Sequence, residues 1–115
     1  MELKNLSIAI LLFSLIGTAN AQIFRMPDAA AQTLYNAWRT KSRTKAKSAA
    51  VKSAVEKLFS VRPRVMKFKG CSKREEGDFE CIYEDAKNDV TVAMLIENTG
   101  RTYIVKSLSF SSESY

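Results

Sequence analysis

The sequence predicts an α+β domain: an N-terminal helix or two helices packed on a four-stranded antiparallel meander with one disulfide. Three observations lead there. Apolar residues recur at helical spacing up to Arg62-Pro63, they alternate with polar residues beyond it, and two cysteines bracket a charged segment centred on Gly77. With 115 residues, 46% of them hydrophobic, the chain has enough for one packed domain.

The first segment lies outside that domain. Lys4 precedes an uncharged, mostly apolar run over residues 6–16, Gly17-Thr18 breaks it, and Ala19-Asn20-Ala21 gives the small-x-small pattern of a cleavage site. The run is far shorter than the roughly 20 residues a spanning helix needs. Residues 1–21 are therefore expected to be a signal peptide, leaving 22–115 as a single domain that begins at Gln22. No later run is long enough to cross a bilayer. The expected location is periplasmic or secreted.

The helical half has no glycine between residues 22 and 69. Asp28, after Pro27, is a candidate N-cap. Leu34, Tyr35 and Trp38 recur at helical spacing, as do Ala50, Val51, Ala54, Val55, Leu58 and Phe59. Residues 39–47 between them lack any large apolar side chain. They are either an exposed part of one long helix or a connection, and two helices over about 29–41 and 46–60 are favoured.

After Pro63 the period becomes two, with strands expected over 65–71, 79–84, 90–97 and 102–110. Val90, Val92, Met94 and Ile96 share one face of the third strand. In the fourth, Ile104, Leu108 and Phe110 do so, with Lys106 as the exception. Gly100 suits a bulged hairpin between these two strands. The stripe over residues 50–59 is the expected cover for the apolar sheet face. In an exported protein Cys71 and Cys81 read as a disulfide across the first hairpin.

Phe68-Lys69-Gly70-Cys71 followed by Phe79-Glu80-Cys81-Ile82-Tyr83 resembles small bacterial periplasmic proteins of unassigned function. The resemblance spans about residues 45–110. It implies helices before a curved antiparallel sheet, broadly similar to the cystatin-like arrangement, and implies no function.

Charge divides the chain. Residues 29–70 hold eleven cations and one acid, Glu56, for a net +10, whereas residues 71–115 sum to −4. Five cations, Arg39, Lys41, Arg43, Lys45 and Lys47, lie within nine residues, and Trp38 and Tyr35 stand beside them as flat apolar contacts. Such a face can simply keep a protein in solution, or be matched internally by the acidic hairpin. As a site, it would bind an anion.

The chain contains no histidine, which removes the commonest general base and zinc ligand. The acidic hairpin tip lacks the spacing of an EF-hand loop. Ser42-Arg43-Thr44-Lys45 matches Ser-x-x-Lys, but the companion motifs of penicillin-recognising enzymes are missing. These features point away from an enzyme and give no reason to expect a cofactor or bound metal. The expected function is an exported, non-catalytic binding or inhibitory module in the cell envelope. Its basic helical surface would engage an acidic protein partner. The alternative is direct binding of anionic envelope polymers or a membrane surface; nucleic acid is disfavoured because no nucleic-acid-binding motif is present.

Overall fold

The computed structural model describes residues 22–112; the expected signal peptide over residues 1–21 lies outside them. Three helices, α1 (Pro27–Arg39), α2 (Arg43–Ala49) and α3 (Lys52–Phe59), precede four strands. These are β1 (Lys67–Lys73), β2 (Phe79–Asp85), β3 (Val90–Asn98) and β4 (Tyr103–Ser112). The strands pair antiparallel in the order β1-β2-β3-β4. The α+β class, the meander and the Cys71–Cys81 disulfide are all present. Among the described residues no helix is long and apolar enough to cross a membrane.

The helix boundaries differ from the expected pair. Met26, not Asp28, is the N-cap of α1; Pro27 opens the helix and Asp28 lies in its first turn. There its charge complements the positive end of the helix dipole. The second expected helix is broken at Ala50-Val51, because these residues are extended and join the sheet. Ala50 bridges Val105 in parallel, and the Val51 N–H donates to the Val105 carbonyl at 3.0 Å. Tertiary pairing thus overrides helical propensity at that point.

The cover of the sheet also differs. Helix α1 crosses all four strands, whereas α3 packs chiefly on β4. The buried stripe of α1, Ala30, Ala31, Leu34, Ala37 and Trp38, meets Tyr83, Val92, Met94 and Ile96 in the core. In β4 a bulge opposite Leu95 and Ile96 shifts the register, so Val105 rather than Ile104 takes the inward position. Lys106 is the extra residue at that bulge, which explains why it broke the alternation.

The β1–β2 hairpin closes through the Arg74 N–H, which donates to the Asp78 carbonyl at 2.8 Å, with Gly77 at φ +95°. Asp78 is the buried acid of the domain among the described residues. Its Oδ2 accepts from Lys106 Nζ at 2.9 Å and from Arg74 Nη1 at 3.3 Å. The Lys106 bond, then the nearby Arg74 charge, hold its carboxyl below the ordinary Asp range despite desolvation. The bulge therefore aims Lys106 at the hairpin and ties β4 to the β1–β2 turn.

A carboxyl lowered in the folded state stabilises the fold above its unfolded pKa, near 3.9, and that stabilisation is lost as pH falls through the folded value. Stability should thus decline below about pH 4. In Asp78→Asn the acid limb of the urea midpoint against pH should be shallower. An identical acid limb in the variant would remove Asp78 from that account. Asp85 keeps part of the slope, because the Asn88 amide, and after it the Asn88 N–H and Arg64, lower its carboxyl too.

Candidate functional site

The turn after α1 is built against the preference of its sequence. Lys41 N–H donates to the Trp38 carbonyl at 3.1 Å and Ser42 N–H to the Ala37 carbonyl at 2.8 Å. These two bonds make a Schellman ending, in which the residue at Lys41 adopts the left-handed conformation. Glycine normally occupies that place, yet Lys41 sits at φ +60°. The left-handed region costs an L-residue about 1–2 kcal/mol. Ser42 then caps α2, its Oγ accepting from Lys45 N–H at 3.3 Å.

Across from this turn runs the connection from α3 to β1, and the two expected contact aromatics hold it in place. Trp38 is 1% exposed and belongs to the core rather than to the surface. Its Nε1–H donates to the Val61 carbonyl at 2.9 Å. The half-buried Tyr35 stacks on Tyr83 with ring centroids 4.4 Å apart. Its hydroxyl accepts from Met66 N–H at 2.8 Å and lies 3.3 Å from the Met66 carbonyl. Both side chains therefore position the wall of the site.

Between turn and connection lies an open groove of about 520 Å³, lined by Trp38, Lys41, Arg43, Phe59, Ser60, Val61, Arg62 and Pro63. Its volume falls within the range of small-ligand clefts. Arg43 Nη1 lies 3.1 Å from Glu56 Oε1, and its guanidinium sits 4.9 Å from the Phe59 ring centroid. An exposed pair of this kind contributes little stability, but it fixes where the guanidinium points. Among the described residues no acid pairs with Lys41 or Arg62. The groove thus combines an apolar base with a surplus of positive charge.

The acidic hairpin does not neutralise this charge. Asp78 and Glu76 are held by Arg74 and Lys106, Asp85 by Arg64, and Glu84 by Lys69. Among the described residues, Glu56 is the acid that pairs with the 39–47 stretch. An internal match between basic helix and acidic hairpin is therefore not what the fold builds.

The structure divides the five clustered cations. Lys41 and Arg43 line the groove, whereas Arg39 turns back to donate to the Tyr35 hydroxyl at 3.3 Å. Lys45 is exposed on α2 away from the lining, and Lys47 borders a separate hollow with Gln22, Ile23, Thr99 and Arg101. Sequence reasoning did not single out Phe59, Arg62 and Pro63 as site residues. Their signal was Arg62-Pro63-Arg64 at the boundary between the two halves, where a proline keeps a short cationic segment out of helix. No family model, curated protein or solved structure matches the chain.

Proposed function

We propose that the protein is an exported, non-catalytic binding or inhibitory module whose groove docks an acidic protein partner in the cell envelope. The observation that carries this reading is the pairing of uncompensated Lys41 and Arg62 with an apolar base of Phe59 and Pro63, beneath which Trp38 is buried. Charge steers and selects a partner, while the affinity of a protein interface comes from a few buried apolar anchors. A bare polyanion would use the cations and leave the base unused. Absent histidine and the apolar, export-like character of residues 6–16 support the same reading.

The test is capture from envelope extract on immobilised protein, at about 0.15 M and 0.5 M salt. Polyanion contacts weaken steeply over such an increase, whereas an interface with an apolar core largely persists. Wild type and Lys45→Gln/Lys47→Gln should retain the same discrete protein at both salts, and Arg62→Gln should lose it. Material that is lost at high salt and depends equally on Lys45, Lys47 and Arg62 would favour the polymer or membrane alternative.

A further inference from the structure

Taking the groove as the docking site, as proposed above, we infer that it receives an extended acidic segment of the partner carrying one large apolar or aromatic side chain. The wall that such a segment would lie along is irregular backbone. Residues 62–66 have no helix or strand partner, and Val65 is 71% exposed. They are nevertheless fixed, because Trp38 holds the carbonyl at Val61 and Tyr35 holds the backbone at Met66.

The concavity continues along this wall. A second open hollow, of about 380 Å³, is also lined by Arg62 and Pro63 and adds Arg64, Asn88 and Val90. Two linked hollows suit a chain passing over Pro63 better than a compact ligand seated in one of them. Arg62 lines both hollows and Arg64 the second, so a segment in extended form, whose side chains repeat on one face about every 6.5–7 Å, can pass along both. Among the described residues no acid pairs with Arg62, while Arg64 already holds Asp85 at 3.3 Å. The first hollow supplies what the second lacks, the half-buried Phe59 ring beside Lys41. The matching segment therefore places acids on either side of one bulky apolar residue, to meet Lys41 and Arg62 while that residue lies against Phe59.

The probe is an eight-residue fluorescein-labelled peptide with glutamates alternating around one tryptophan, titrated with the protein at about 0.15 M salt and read by anisotropy. Replacing its tryptophan with alanine should weaken binding at least tenfold, as should replacing its glutamates with glutamine. Arg62→Gln in the protein should weaken binding about fivefold or more, and Lys45→Gln should leave it unchanged. Failure of the peptide to bind, alongside salt-resistant capture of a partner, would overturn the extended segment and leave the docking reading intact. Failure of both would overturn both. Equal binding of the alanine peptide, or of polyphosphate, would also overturn the inference, because the apolar base would then contribute nothing.

Discussion

Trp38→Ala is expected to destabilise the fold by about 3–5 kcal/mol, the largest effect of any single side chain discussed above. Trp38 is 1% exposed and faces Tyr35 and Phe110 edge-on, at centroid distances of 6.1 and 6.4 Å. Alanine would leave a void where α1 meets the sheet. It would also abandon the Val61 carbonyl, which accepts from the indole N–H. A domain of this size has a total stability of only about 5–15 kcal/mol, so the variant would be close to unfolding. Trp38→Phe separates the two losses. It keeps most of the ring and removes the donor, so a smaller cost of about 1–2 kcal/mol is expected. Urea midpoints should rank wild type, Trp38→Phe, Trp38→Ala. A Trp38→Ala midpoint near wild type would mean that the helix–sheet contact is not centred on this residue.

The disulfide should give the next largest effect. Cys71 and Cys81 are directly opposed in the β1–β2 ladder, ten residues apart in sequence. Closing a loop of that length removes about 2.7 kcal/mol of conformational freedom from the unfolded chain in the chain-entropy treatment. The bond matters locally because β1 is an edge strand whose ladder is with β2 alone. It is further loosened by a bulge between Phe68 and Gly70, where Gly70 takes φ +105°. Cys71→Ala/Cys81→Ala, or reduction of the wild type, should therefore lower the midpoint and raise hydrogen exchange first in β1. An unchanged midpoint after complete reduction would show that the ladder holds β1 without the bridge. Neither cysteine lines the groove, so it should survive in the folded fraction.

Much of this architecture was legible in the chain itself. The change of period at Pro63, the alternation in β3 and the charged turn between the cysteines each follow from local chemistry. What escaped depended on distant partners. Ala50-Val51 leaves the helical path only because Val105 offers a backbone acceptor and a bridge. Lys106 looked like a fault in the fourth strand until the bulge and Asp78 gave it a place. The site was half visible for the same reason. Lys41 and Arg43 belong to the dense basic stretch, but their companions Phe59, Arg62 and Pro63 arrive from the far end of α3. Trp38 and Tyr35 share the stripe of Leu34, and that periodicity already placed them toward the core. Trp38 is buried beneath the wall it supports, and Tyr35 is half-buried with its hydroxyl on the Met66 backbone.

Lys41 offers the most direct test of the account, because stability and binding make opposite demands on it. Glycine relieves the left-handed strain at φ +60° and preserves both backbone bonds of the turn, while removing an uncompensated cation from the groove. The decisive measurement is Tm and salt-resistant partner capture on the same preparation of Lys41→Gly. A gain of about 1 kcal/mol is expected, raising Tm by roughly 4–8 °C, with capture reduced at least tenfold. A more stable variant that captures its partner as well as the wild type would contradict the claim that this groove is the docking site.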